Sequence, residues 1–263
     1  MNQQKICTAC GTQFPLSGEP LTLCPICADD RQFIPESGQS WTDHPALSAN
    51  YSVITKKLDE HLYELRMAPS FAIAQRALLI LTPGGNILWD CFALLNEPTI
   101  AFIKSKGGLK AIAFSHPHYY STMNDWAAVF DCPIYIHHSD EEWIFNKGPH
   151  ISLWAGEEHK LWDGIRIIHI GGHFPGSCIL HVPFLSPRGT VLCGDTLAIS
   201  PNKKHISVMY SYPNRVPLPV KEMRRIRNLL LPLPFDTLLG YAAFLNIYTD
   251  AKEILESSLA KYE

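Results

Sequence analysis

Gly171-Gly172-His173-Phe174-Pro175-Gly176-Ser177 sets one histidine in a glycine-rich loop between two runs that read as strands, 165–170 and 178–182. Downstream, Val191-Leu192-Cys193-Gly194-Asp195-Thr196 places an aspartate at the end of an apolar strand over 189–193. Upstream, Phe114-Ser115-His116-Pro117-His118-Tyr119-Tyr120-Ser121 follows a buried strand at 110–114. Pro117 pushes the residue before it toward an extended conformation. Residues i and i+2 of an extended stretch point to the same side, so His116 and His118 are expected to turn two imidazoles one way. Paired imidazoles at a strand end suit a transition metal. All these segments sit at strand ends, where functional side chains are usually mounted.

The rest of the chain supplies the frame for these segments. Strands are expected at 51–55, 61–66, 76–82 and 86–90, with the turn Pro83-Gly84-Gly85-Asn86 between the last two. A helix follows at 97–106, and another at 121–130 with Ser121 or Thr122 as N-cap. Further strands are expected at 133–137 and 236–239, and helices at 219–230 and 249–261. Strands come first, then strands and helices mix, which predicts sheets covered by helices in an α/β or α+β layered architecture. No sequence repeat of fixed period is present.

The 263 residues are 46% hydrophobic and 18% charged, enough for one substantial domain with a packed core plus a small appendage. A net charge of −3 argues against broad electrostatic binding to nucleic acid or to an anionic membrane. No apolar run has the length needed to cross a bilayer. The first residues, Met1 to Ile6, hold no apolar signal core, so a cytoplasmic location is expected.

Of the eight cysteines, Cys7, Cys10, Cys24 and Cys27 form two Cys-x-x-Cys pairs separated by thirteen residues. Two such turns close a tetrahedral zinc site with no open position, a structural knot that folds a segment too small to fold alone. Cys91, Cys132, Cys178 and Cys193 lie among apolar residues and are expected to pack as small hydrophobes. The chain thus divides into a zinc ribbon over 1–30, a Pro- and Ser-rich linker or wrapping arm over 31–50, and a main domain over 51–263. The ribbon holds one basic residue, Lys5, and the acidic Glu19, Asp29 and Asp30, a poor footprint for phosphate. Packing on the main domain, or a subunit contact, is the expected use of the ribbon.

The order His-x-His, then Gly-His-x-Pro-Gly-Ser, then Gly-Asp resembles the metallo-β-lactamase superfamily over roughly residues 51–263. Ile87-Leu88-Trp89-Asp90 is similar to that family's early strand ending in aspartate. The resemblance implies an αββα sandwich of two sheets flanked by helices. It implies His116, His118 and His173 as ligands of a first metal, and Asp195 as the carboxylate that the family shares between metals. The chain departs from the family pattern His-x-His-x-Asp-His. Tyr120 stands at the aspartate, Ser121 at the second histidine, and Tyr241 in place of the last metal histidine. One zinc or iron is therefore expected, held by three imidazoles and Asp195.

Such a centre implies a hydrolase acting on an ester, thioester, lactone or amide of a small molecule, with Asp195 orienting water and Tyr120 or Tyr119 donating to an oxyanion. The same tyrosines have aromatic packing as their alternative. Two other classes stay open: a non-haem iron oxygenase resembling persulfide dioxygenases, and a non-catalytic binding or scaffold protein. Asp90 is a candidate partner of a ligand histidine. His137, His138, His169 and His181 are expected to be exposed or satisfied histidines. Lys221, Arg224, Arg225 and Arg227 are expected on a solvated helix face.

Overall fold

The computed structural model describes residues 4–15 and 21–262. Glu19 and the first three residues, used above for the charge of the ribbon and the start of the chain, lie outside the described residues. The chain forms two compact units, Met1–Ile136 with Glu141–Leu153, and His137–Asp140 with Trp154–Glu263.

In the first unit a sheet of seven strands, counted among the described residues, runs in the order Ile151–Trp154, Ile134–His137, Ala111–Ala113, Ile87–Trp89, Arg76–Ile80, Leu62–Ala68 and Ser52–Asp59. Arg76–Ile80 is buried along its whole length, as its continuous apolar run requires. Arg76 itself is accommodated by a buried ion pair, Nη1 to Glu64 Oε2 at 2.8 Å. Ile87–Trp89 and Ala111–Ala113 are parallel with Trp89 opposite Ala113. That register brings the residues after both strands, Asp90 and Ser115, to the same end of the sheet. Helix Glu97–Ser105 joins the two strands and is capped by Asn96, whose Oδ1 accepts from Thr99 N at 3.1 Å.

Helix Met123–Phe130 starts later than the sequence suggests. Thr122 stands at its N-cap position as expected, but neither Thr122 nor Ser121 gives it a side-chain capping hydrogen bond. Thr122 Oγ1 donates to Phe92 O at 3.1 Å, and Ser121 Oγ donates to Gly11 O at 2.9 Å. Tertiary acceptors took both hydroxyls from the helix end.

The four-cysteine segment builds a small sheet from Lys5–Cys7, Gln13–Phe14 and Trp41–Thr42. The arm therefore supplies a strand, with Ile6 opposite Thr42. It also holds a helix, His44–Asn50, which composition alone hid. Asp43 Oδ1 accepts from Ala46 N at 2.9 Å and Pro45 lies in the first turn, an N-terminal signal inside an otherwise linker-like stretch.

In the second unit a sheet of six strands, again among the described residues, runs Glu158–Lys160, Arg166–His169, Cys178–Val182, Thr190–Cys193, Thr237–Leu239 and Asn246–Ile247. Thr190–Cys193 and Thr237–Leu239 are parallel, and the other pairs antiparallel. Helix Val220–Leu230 buries Met223, Ile226 and Leu230, and helix Ala251–Leu259 buries Leu255 and Leu259. Both belong to one apolar cluster with Ile179, Val191 and Leu238. Each fully buried aliphatic side chain contributes about 1.5–3 kcal/mol. Leu197–Ile199 and Ile206–Ser211 pair antiparallel beside this sheet.

Candidate metal centre

The four cysteines are all buried. Cys7 Sγ lies 3.7 Å from Cys27 Sγ, and Cys10 Sγ lies 3.6 Å from Cys24 Sγ. Four sulfurs at about 2.3 Å from a tetrahedral zinc are separated by roughly 3.8 Å, so these thiols fit such an ion. Gln39 Nε2 donates to Cys7 Sγ at 3.2 Å, a bond that favours thiolate.

His116 is extended, with φ −174° and ψ 172°, as Pro117 requires. The next three residues, Pro117–Tyr119, form a 3-10 turn. The expected i, i+2 alternation of a strand is thus replaced by a tight turn opened by proline. The two rings still meet, edge to face with centroids 5.1 Å apart. Both histidines are buried.

Asp90 holds this segment from the neighbouring strand. Its Oδ1 accepts from Ser115 N at 2.8 Å, and Ser115 Oγ lies 2.9 and 3.0 Å from its two carboxylate oxygens. Ser115 Oγ is also 2.9 Å from His116 Nδ1. A serine hydroxyl has one proton, and the carboxylate is the stronger acceptor. Ser115 therefore donates to Asp90 and accepts from His116 Nδ1–H, which assigns the lone pair of His116 to Nε2. The aspartate reaches the histidine through the Ser115 hydroxyl.

In the second unit His173 is fully buried and donates from Nδ1 to the Tyr210 carbonyl at 2.6 Å. Its Nε2 therefore carries the lone pair, and Asp195 Oδ2 lies 3.8 Å from it. Thr196 Oγ1 donates to Gly171 O at 3.0 Å and fixes the start of the loop. Gly172, at φ +90°, has no room for a side chain: a Cβ there would lie 2.7 Å from Leu218 Cδ1. Gly176 N donates to the buried Asp140 Oδ1 at 2.6 Å, and His169 Nε2 donates to Pro175 O at 2.7 Å. Arg225 Nη2 donates to Ile170 O at 2.5 Å. It thus clamps the histidine loop while its side chain, 42% exposed, stays on the solvated helix face expected for it.

Tyr241 packs edge-on to Tyr212 with centroids 5.0 Å apart. Burial and then the nearby Asp195 carboxylate raise its phenol above the ordinary tyrosine range. The ring at this position stays neutral beside the acid. Tyr120 is buried with its ring edge-on to Phe114 at 5.2 Å, and Tyr119 lies against the His116 ring at 5.1 Å. His137, His169 and His181 are satisfied as expected. His137 Nε2 donates to Gly156 O at 3.2 Å and stacks on His169, and His181 Nε2 donates to Pro234 O at 2.8 Å.

The first unit thus offers imidazole nitrogen, and the second offers imidazole nitrogen and a carboxylate oxygen, donor types that zinc and iron(II) accept. Among the described residues no helix is long and apolar enough to cross a membrane.

The solved structures most informative for this arrangement are metallo-β-lactamases. DIM-1 metallo-β-lactamase has a TM-score of 0.60 at 14% identity, covering 81% of this chain and 99% of that one. TMB-1 has a TM-score of 0.60 at 14% identity over 80% and 98%. FIM-1 from Pseudomonas aeruginosa, in its mono-zinc form, has 0.57 at 11% over 80% and 95%. The chain has the metallo-β-lactamase fold, carrying an N-terminal four-cysteine ribbon. No family model matches it. It belongs to one family with the uncharacterized protein YmaE of Bacillus subtilis (strain 168), which is 41% identical over 261 residues, 98% of this chain and 94% of that protein.

Proposed function

We propose that the protein is a mononuclear metal-dependent hydrolase of a small-molecule ester, thioester, lactone or amide, with a separate structural zinc in the ribbon. His116, His118, His173 and Asp195 hold the single ion. The observation that carries this reading is the pair of fixed tautomers. Ser115 and the Tyr210 carbonyl each engage an Nδ1, leaving the Nε2 atoms of His116 and His173 as donors. Tyr120, Ser121 and Tyr241 stand where the fold family keeps its second-metal ligands, and neutral phenols and a hydroxyl are poor ligands. FIM-1, described in a mono-zinc form, shares the fold.

A bound ion supplies Lewis acidity and lowers the pKa of water to about 7. The protein's own side chains do the rest. Asp195, partly exposed beside His173, orients the attacking water and accepts its hydrogen bond. Tyr120 donates to the oxyanion that forms as the carbonyl is attacked. Cleavage of the acyl bond then yields a carboxylic acid and an alcohol, thiol or amine, with the water proton passing to the leaving group.

Metal analysis of protein purified without chelator, together with a panel of ester, thioester and lactone substrates, tests the reading. Two zinc ions per chain and metal-dependent hydrolysis are expected. Iron at the histidines points instead to the oxygenase, and one zinc per chain, held by the cysteines, to a scaffold protein. His116→Ala with His173→Ala must abolish the second metal; unchanged metal content overturns the ligand assignment.

A further inference from the structure

A band of hydrogen bonds joins the cysteine cluster to the loop that carries His118. Gln75 is 3% exposed. Its Nε2 amide donates to Cys10 O at 2.6 Å and to His118 O at 2.9 Å. One carboxamide thus holds a cysteine of the ribbon and a histidine of the candidate centre at a fixed separation. The contact continues on both sides. Ser121 Oγ donates to Gly11 O at 2.9 Å, and Gln13 N donates to Ser121 O at 3.1 Å. Gln13 Nε2 donates to Asp125 Oδ2 at 2.8 Å, and Asn146 Nδ2 donates to Gln13 Oε1 at 2.9 Å. Gly11, at φ +79°, makes the approach possible: a Cβ there would lie 3.2 Å from Gln75 Nε2 and 3.4 Å from Ser121 Oγ.

We propose that the cysteine cluster is a brace for the histidine centre, and that Gln75 is the positioning residue through which metal in one site strengthens binding in the other. The inference rests on the reading of His116, His118, His173 and Asp195 as one metal centre. A knuckle this small is held in shape by its ion. When the ion leaves, the Cys10 carbonyl is free to move, and Gln75 must abandon one of two buried acceptors. Leaving a buried carbonyl unsatisfied is unfavourable, so the His118 backbone follows the knuckle or loses its bond. Coupling of this kind is reciprocal for binding free energies. It also gives residue 121 its part. A serine there, in place of the family's histidine ligand, ties the loop to the ribbon rather than to a second ion.

The test uses the full chain loaded with cobalt(II), whose thiolate charge-transfer bands report the cysteine site; subtracting the ligand-field bands that this site also gives leaves those of the histidine site. Gln75→Met keeps the side-chain volume and removes both donors. The expected result is an unchanged thiolate band, a shifted ligand-field spectrum and a roughly 10- to 100-fold loss of affinity at the histidine site, the scale of outer ligand partners. Gly11→Ala, which crowds Gln75, is expected to act in the same direction. A thermal melt checks each fold. As a second measurement free of mutation, a mercurial reagent strips the ribbon of wild-type protein, and the rate of cobalt loss from the histidines is followed; it is expected to rise. Wild-type affinity in Gln75→Met, or an unchanged loss rate after stripping, overturns the brace alone. A wild-type protein that loads only the thiolate site overturns the brace together with the metal centre on which it stands.

Discussion

Ser115→Ala removes a single oxygen atom, and that atom stands between Asp90 and His116. The Asp90 carboxylate loses the hydroxyl at 2.9 and 3.0 Å but keeps the Ser115 N–H at 2.8 Å. A net hydrogen bond to a charged group contributes about 1.5–3 kcal/mol, so a loss of fold stability within that range is expected. The larger consequence lies on the ligand. His116 Nδ1 loses the acceptor at 2.9 Å that fixes its tautomer and its ring plane. Losses of such outer partners lower metal affinity by about 10- to 100-fold, equivalent to about 1.4–2.7 kcal/mol. Zinc competition against a chromophoric chelator measures that loss, and the thiolate site serves as an internal control. Asp90→Asn sharpens the comparison at constant size. An amide at residue 90 donates to Ser115 Oγ, the serine proton turns to His116 Nδ1, and the imidazole proton moves to Nε2, where it blocks the metal. Asp90→Asn is therefore expected to cost at least as much affinity as Ser115→Ala. Affinities within twofold of wild type in both variants, with the melt showing a folded protein, would refute the relay.

Three further outcomes follow from particular contacts. Tyr120→Phe keeps the ring that packs on Phe114, so melting temperature and metal content are expected to hold while kcat on the best ester or thioester falls about tenfold or more; an unchanged kcat removes the phenol from the reaction. His137, chiefly through burial and then through the stacked His169, is held well below its ordinary value of 6.5, at about 4. The unfolded chain therefore binds this proton first, and stability is full above pH 6.5 and declines as pH falls toward about 4. Melts of wild type and His137→Gln over that window should converge on acidification, and parallel curves would count against the assignment. Arg76→Met takes the 2.8 Å partner from the buried Glu64 carboxylate but leaves Arg66 Nε 3.6 Å from its other oxygen, so urea titration is expected to show destabilisation at the low end of about 3–5 kcal/mol.

Much of the frame was legible from side-chain pattern. The strand at Cys178–Val182 falls where expected, and Thr190–Cys193 and Arg166–His169 fall within a residue of it. Apolar strands bounded by glycine and proline report themselves through composition. The pieces that escaped notice had competing signals. Helix His44–Asn50 sat in a proline- and serine-rich arm, and the pair Leu197–Ile199 and Ile206–Ser211 was hidden by a polar turn at 200–205. At the site, the histidines, Asp195 and the four cysteines announced themselves as residue types. The partners did not: the Tyr210 carbonyl holds His173, and any residue supplies a carbonyl. Ser115, Gln75 and Arg225 are ordinary polar residues whose use depends on what lies beside them.

The sequence alone determined which atoms have the chemistry to bind metal, because ligand type and strand-end spacing are local properties of the chain. Only the tertiary structure decided which nitrogen of His116 and His173 is presented, and that the ribbon is fastened to the histidine loop. Both depend on hydrogen bonds between segments far apart in the chain, such as Gly11 with Ser121 and His173 with Tyr210. The direction of those bonds exists only after the backbone has been brought together.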